Sequence, residues 1–443
     1  MKRKLLAALL AVCLTISMTA CGSAGGEAGG STDSVQEEET VMEEETPDVV
    51  QEGETALETE GGKITMLCDD ATTQENFDEY LKAAEEATGL EIEVIPMPTN
   101  TSDRTAKVMT ILSSGDESVD VISLEQEMIT TLVETDYLEP LDDILTDEVR
   151  AAYPESFIEM SQGKGIPMFM EIFCFWMNAK YMEESGMESV KTKEEFVEFL
   201  EKVSNENVFG YGGGWEQSYV WIDLGEFVNL FGGNIFDWSD ENTQAGAKFL
   251  KEMVDKGYTS LSQLADQYTE LNQRIMDGSV ACMMNYSSFM PTYLNAERYG
   301  EDDIYIAPML NFNKEITNAN GWQYALNAAS QNKEAAKKFL EWAASLEGQK
   351  VYGETFSRLP ARTDVVDDPE FSLPGLEQLR SYLEETELVT RPLPANAQEY
   401  TYEVGALFQK YVSGEMEFEE YVEKMQDCMN KYFPEETAQY VNG

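Results

Sequence analysis

The 443-residue chain has no histidine, which excludes imidazole acid–base chemistry, His-dependent catalytic triads and His metal ligands. Positive charge is also scarce: 30 Lys and Arg stand against 84 Asp and Glu, a formal net charge of −54. Such a surface is repelled by nucleic-acid phosphates and anionic lipid headgroups, so no nucleic-acid partner is expected. Cysteine is sparse. Leaving out Cys13 and Cys21, only Cys68, Cys174, Cys282 and Cys428 remain, far apart and without C-x-x-C spacing, which argues against a zinc or redox motif. Three of these lie in apolar, strand-like segments, and free buried thiols are expected. Neither a metal nor a cofactor is expected. Beyond the N-terminus, no hydrophobic run approaches the roughly 20 residues of a membrane-spanning helix.

The chain opens on Met1-Lys2-Arg3-Lys4, an apolar stretch from Leu5 to Ser17, and Met18-Thr19-Ala20-Cys21. Basic start, short hydrophobic core and small residues before a cut are the parts of an export signal, here residues 1–20. A cysteine directly after the small residues resembles the bacterial lipoprotein signal, which implies lipidation of Cys21 (palmitate among the acyl groups) and anchoring on the extracellular face of the cell membrane. An ordinary secretory signal with Cys21 left free is the alternative. Residues 21–62 are Gly, Ser, Thr and Glu with hardly an apolar side chain, and contain Glu37-Glu38-Glu39 and Glu43-Glu44-Glu45. Such a segment cannot bury enough apolar surface to offset its ordering entropy, and its charges repel one another. It reads as a disordered acidic tether. Removing residues 1–20 takes away three positive charges and moves the formal charge from −54 to −57.

The remaining ~380 residues exceed what one hydrophobic core usually serves, so two lobes are expected. Residues 63–68 read as a strand and 74–88 as a helix, with Phe77, Leu81, Ala84 and Ala87 at helical spacing and Gly89 as its stop. A strand over 90–95, a helix over 105–113 and a strand over 119–123 follow. This strand–helix alternation predicts an α/β fold with a parallel sheet.

The segments Thr88-Gly89-Leu90-Glu91-Ile92-Glu93-Val94, Val119-Asp120-Val121-Ile122 and Tyr137-Leu138-Glu139-Pro140-Leu141 resemble the first lobe of extracellular solute-binding proteins of the maltose-binding type. Gly165-Ile166-Pro167 through Phe175-Trp176-Met177-Asn178 resembles that family's first crossover. Ala325-Leu326-Asn327-Ala328-Ala329-Ser330, then Phe339-Leu340-Glu341-Trp342, Glu347-Gly348-Gln349 and Arg358-Leu359-Pro360-Ala361-Arg362, complete the likeness over residues 63–433. The resemblance implies a two-lobe, periplasmic-binding-protein-like α/β fold of class II, with a hinge and an interlobe ligand cleft. Lobe 1 would combine 63–165 with 326–358, and lobe 2 would combine 166–325 with 359–443. Crossings are expected near 165–171, 321–326 and 358–362.

A sugar presents apolar C–H faces and a rim of hydroxyls, so its site combines aromatic platforms with carboxylates and amides. Gly212-Gly213-Gly214-Trp215-Glu216-Gln217-Ser218-Tyr219-Val220-Trp221 places Trp215, Tyr219 and Trp221 after a glycine run that would let the backbone approach a ligand. Trp322 precedes an expected crossing, and Trp238 follows the Gly232-Gly233 turn. For each tryptophan, core packing competes. Trp176 and Trp342 are assigned to the core. Glu171 stands inside an apolar run, where a carboxylate is costly unless it faces a wet cleft or finds donors. The family's pattern implies that a glutamate there reaches the sugar. Glu125 and Gln126 end a strand, and strand carboxyl ends face the cleft in open α/β sheets. Asp69 and Asp70 end the first strand. Tyr286, and Tyr400 with Tyr402, fall where the family presents stacking rings. Arg358 and Arg362 are expected in hinge ion pairs.

The resemblance implies a monomeric binding protein, not an enzyme, that captures a carbohydrate, an oligosaccharide for preference. It would close its lobes on the ligand and hand it to the membrane subunits of an ABC importer, with the lipid as its only membrane contact. The alternatives are the same fold holding a polyamine, peptide or anion, and a secreted glycoside hydrolase, for which no accompanying motif is present.

Overall fold

The structure is a computed structural model that describes residues 62–440. The export signal, Cys21 and all of the tether but residue 62 lie outside the described residues.

The strands are β1 (Lys63–Cys68), β2 (Glu91–Pro96), β3 (Val121–Leu124), β4 (Ile166–Pro167), β5 (Glu171–Asn178), β6 (Phe209–Gly212), β7 (Val280–Tyr286), β8 (Ile304–Ile306), β9 (Ile316–Asn320), β10 (Gln323–Leu326) and β11 (Glu387–Val389). They form two sheets. The first runs β2-β1-β3-β10-β4, and the second β11-β9-β5-β7-β6 with β8 on β5. The parallel pairing predicted from the alternation holds for β1 with β2 and β3. It fails at β10, which lies antiparallel to both β3 and β4. The reason is topological: β10 arrives directly from the second sheet and not through a helical crossover, which is what keeps successive strands parallel.

Local sequence explains the helices that flank the first sheet. Phe77, Tyr80 and Ala84 bury one face of helix Phe77–Thr88, and Gly89 ends it at φ 70°, a left-handed conformation that glycine adopts without a Cβ clash. Helix Thr101–Ser114 begins four residues before the expected start because the Asn100 side chain accepts from the Asp103 N–H at 3.1 Å. Its Val108 and Leu112 pack with Leu67, Ile122, Leu124 and Ala325, side chains of β1, β3 and β10. All are buried to within 2 %. Truncating one, such as Leu112→Ala, costs about 2–5 kcal/mol.

The chain passes between the sheets where β4 leads to β5 and where β9 leads to β10. These passages are bonded to each other and to a third: Met168 N–H donates to Trp322 O and Met170 N–H to Leu359 O, both at 2.8 Å. Their contact is close enough that a Cβ on Gly321 would collide with the Phe169 carbonyl oxygen. Cys68, Cys174, Cys282 and Cys428 are buried and unpaired.

Candidate functional site

Where these passages meet, a cavity of about 540 Å³ opens between elements of the two sheets. Strand ends supply Asp69 (after β1), Glu125 and Gln126 (after β3) and Tyr286 (the last residue of β7). The first turn of helix Thr101–Ser114 supplies Thr101 and Arg104.

Arg104 organises one pole. Its guanidinium donates to Glu125 Oε2, lies 3.5 Å from Asp69 Oδ1, and reaches Thr99 O and Thr101 Oγ1 at 3.1 Å each. It also stacks 5.0 Å from the Trp322 ring centroid. Burial pushes the Glu125 carboxyl up to about 7, while the Arg104 charge opposes the shift. Burial likewise raises Asp69, again against Arg104. Asp69 Oδ1 and Glu125 Oε1 are buried and lack a hydrogen-bond donor. In a wall of this cavity, such oxygens are acceptors held ready for an incoming O–H or N–H.

Arg391 organises the other pole. It donates to the Tyr286 hydroxyl and, at 3.0 Å, to Gln126 Oε1; Gln126 Nε2 returns a bond to Arg391 O at 3.0 Å. The Asn320 carboxamide meets both side chains. Between the poles, Glu171 Oε1 accepts from Ser288 Oγ at 2.5 Å. Burial raises the Glu171 carboxyl, and Ser288, Arg358 and Arg391 counter that rise. Arg358 turns away to Asp70 at 2.7 Å and Tyr352 at 3.1 Å.

Aromatic rings complete the walls. Tyr219, Tyr268, Tyr286, Phe289, Trp322 and Tyr402 line the cavity. Tyr268 stands edge-on to Tyr219 and Tyr286, with centroids 4.9 and 5.4 Å away. Two hydroxyl pairs link helix Thr101–Ser114 to the opposite wall: Thr101 Oγ1 with Tyr219 OH at 2.8 Å, and Ser102 Oγ with Tyr402 OH at 3.1 Å.

Of the residues singled out from sequence, Glu171, Trp322, Tyr286, Glu125, Gln126, Tyr219, Asp69 and Tyr402 stand on the cavity wall. Five others do not. Trp215 is fully buried, with Nε1 donating to Asp223 Oδ2 at 2.7 Å and its ring edge-on to Phe408. The glycine run serves that packing: a Cβ on Gly213 would strike the indole nitrogen of Trp215 and the Asp223 carboxylate. Trp238 is buried against Tyr421. Tyr400 is buried against Tyr432 and Phe433, and Tyr402, half a turn on, takes the wall position. Asp70 is consumed by Arg358 and Tyr352, whereas its neighbour Asp69 reaches the cavity. Trp221 stands one layer back, its ring 4.8 Å from the Arg391 guanidinium. Trp176 and Trp342 are buried, as assigned.

Sequence reasoning missed Arg104, Tyr268, Ser288 and Arg391. Arg104 had a usable signal, a lone cation in a helix's first turn beside strand ends rich in acids. Arg391, in the Pro-rich stretch Thr390-Arg391-Pro392-Leu393-Pro394, had none.

A family profile described as bacterial extracellular solute-binding protein matches residues 79–377. A probable amino-acid ABC transporter periplasmic-binding protein, y4oP of Sinorhizobium fredii, is 26 % identical over 335 residues, covering 70 % of this chain and 75 % of that one. Among solved structures, maltose-bound MalE3 of T. maritima superposes with a TM-score of 0.73 at 19 % identity, over 84 % of this chain and 99 % of that one. A Listeria monocytogenes ABC substrate-binding protein in complex with cycloalternan gives 0.71 at 17 % identity, over 84 % and 98 %.

Proposed function

The chain belongs to the bacterial extracellular solute-binding protein family, and from that premise we propose that it captures a carbohydrate in the cleft and delivers it to an ABC importer. The observation that carries this reading is the composition of the cavity wall. Six aromatic side chains share it with Asp69 and Glu125, each of which has one buried oxygen that lacks a donor. Rings suit the C–H faces of a sugar, and spare carboxylate oxygens suit its hydroxyls. The volume of about 540 Å³ exceeds what a single sugar ring fills, which favours an oligosaccharide. Sugars in the solved structures of similar fold, maltose and cycloalternan among them, support the same class.

Binding then proceeds by closure of two lobes about the three passages, with the proposed bounds moved from 165 and 325 to 63–167 with 323–358 and 168–322 with 359–443, because β4 and β10 pair in the first sheet. Ligand shifts the balance only as far as it favours the closed state. The Thr101–Tyr219 and Ser102–Tyr402 pairs span the proposed lobes, so moving the lobes apart would break both. No helix among the described residues is long and apolar enough to cross a membrane. Tethering through a lipid on Cys21 is part of the proposal and rests on the N-terminal sequence.

A second reading, an amino-acid ligand, is favoured by the name of the S. fredii relative. Thermal-shift and calorimetric titration against mono- to oligosaccharides and the amino acids separates the two. Stoichiometric sugar binding without product supports the proposal; response to amino acids alone replaces it, and sugar turnover points to a hydrolase.

A further inference from the structure

Three arginines line the cavity, and their counter-charges differ. Arg358 has Asp70 at 2.7 Å, and Arg104 has both Glu125, in direct contact, and Asp69, at 3.5 Å. Arg391 is equally buried, at 6 % exposure, yet among the described residues no carboxylate oxygen lies within 4.0 Å of it. Its partners are neutral: the Tyr286 hydroxyl, Gln126 Oε1 and the Asn320 carboxamide. Burial holds the Tyr286 phenol above its usual range, so it is no hidden anion. Glu127 and Glu171 act on Arg391 only from beyond ion-pair distance, and Glu171 is engaged by Ser288.

A cation taken out of water without a counter-charge is costly, and evolution removes such groups or supplies the missing anion. Arg391 is instead held in place. Trp221 lies 4.8 Å from its guanidinium and Tyr286 5.4 Å, while Gln126 fixes the fork. A planar, immobilised guanidinium on a cavity wall, without an ion pair and with one N–H left over from these partners, suits a carboxylate through charge and a charge-assisted hydrogen bond.

We infer that the ligand is an acidic saccharide whose carboxylate pairs with Arg391, as a hexuronate unit would supply. This rests on the carbohydrate reading above and narrows it. The sugar's hydroxyls go to Asp69 Oδ1 and Glu125 Oε1 at the Arg104 pole, and its carboxylate goes to the Arg391 pole. Gln126 is a positioning residue that links the two, since it follows Glu125 in sequence and bonds Arg391. The chain's overall acidity acts on such a ligand only at long range, where salt screens it within about 8 Å; the buried Arg391 is screened far less.

The test is calorimetry on the purified protein with matched oligosaccharide pairs: neutral hexose oligomers, their uronate counterparts and their sulfate esters. The variants are Arg391→Gln and Gln126→Glu, the second placing a carboxylate on the guanidinium without removing it. The expected result is at least tenfold tighter binding of a uronate oligomer than of its neutral counterpart, with that preference lost in both variants. Should Arg391→Gln fail to fold, Gln126→Glu decides alone. Neutral oligomers binding as tightly as uronates overturn the inference and leave the carbohydrate reading standing. A preference for sulfate esters over uronates overturns the carboxylate assignment. Response to amino acids and to no saccharide overturns the inference together with the reading beneath it.

Discussion

Trp215 and Asp223 close a buried hydrogen bond of 2.7 Å, and Tyr211 OH satisfies the second carboxylate oxygen at 3.1 Å. Among the described residues, no cation counters the burial of this acid. Burial therefore pushes Asp223 up to about 7. One turn on, Glu226 bonds Asn318 of β9 and rises to about 8 for the same reason.

Stability should accordingly fall with rising pH. In the unfolded chain these groups titrate near 4, so between about pH 4 and 8 the folded state holds protons that the unfolded state releases. The contribution is complete below pH 4 and is lost as pH climbs through 7 for Asp223 and 8 for Glu226. Urea unfolding at pH 5, 6.5 and 8.5 should show a decline of about 2–4 kcal/mol attributable to each group. Glu226→Gln should flatten the curve. An unchanged slope in Glu226→Gln would show that this carboxyl is not the titrating group.

These residues also show what the sequence made legible. Strand ends could be located from hydrophobic alternation, and since strand carboxyl ends face the cleft, Glu125 and Gln126 were within reach. The direction of a large ring was not. Trp215 looks like a loop residue in a glycine run, but its partner Asp223 lies on the following helix, and only the turn between them shows that the glycines admit the indole to the core. Arg391 was illegible for a stronger reason. Its neighbours Gln126, Tyr286 and Trp221 are distant in sequence, and nothing local marks a cation that tertiary structure buries.

At the meeting of the passages, Gly321→Ala should disturb both stability and closure. The added Cβ would collide with the Phe169 carbonyl oxygen, a backbone atom that cannot swing aside. The passages would have to separate, at a cost of about 1–3 kcal/mol. The expected outcome is a lower Tm together with weaker ligand binding, since Trp322 is the next residue. A variant with wild-type Tm and affinity would show that the passages have slack.

If the proposed lipid on Cys21 is the anchor, Cys21→Ser should release the protein from the membrane without altering ligand affinity, because Cys21 precedes all of the cavity-lining residues in sequence. Fractionation of cells expressing each form, with calorimetry on the released material, checks both halves. Retention of the serine variant in the membrane fraction would mean that Cys21 is not the anchor.

Trp322 and Glu171 bear most directly on the cleft, because each enters it from one of the bonded passages. Trp322 has a cation against it, Arg104 at 5.0 Å, so its removal takes away a platform and loosens the guanidinium that holds Glu125. Trp322→Ala should weaken binding about 10- to 100-fold, equivalent to about 1.4–2.8 kcal/mol. Glu171→Gln keeps the shape and the Ser288 contact but removes a charged acceptor, whose hydrogen bonds are worth about 1.5–3 kcal/mol. A comparable loss is expected. Trp238→Phe is the control: that ring packs on Tyr421 away from the cavity, so it should lower Tm and leave affinity unchanged. If Trp238→Phe weakened binding while Trp322→Ala and Glu171→Gln did not, the ligand would lie elsewhere than this cleft.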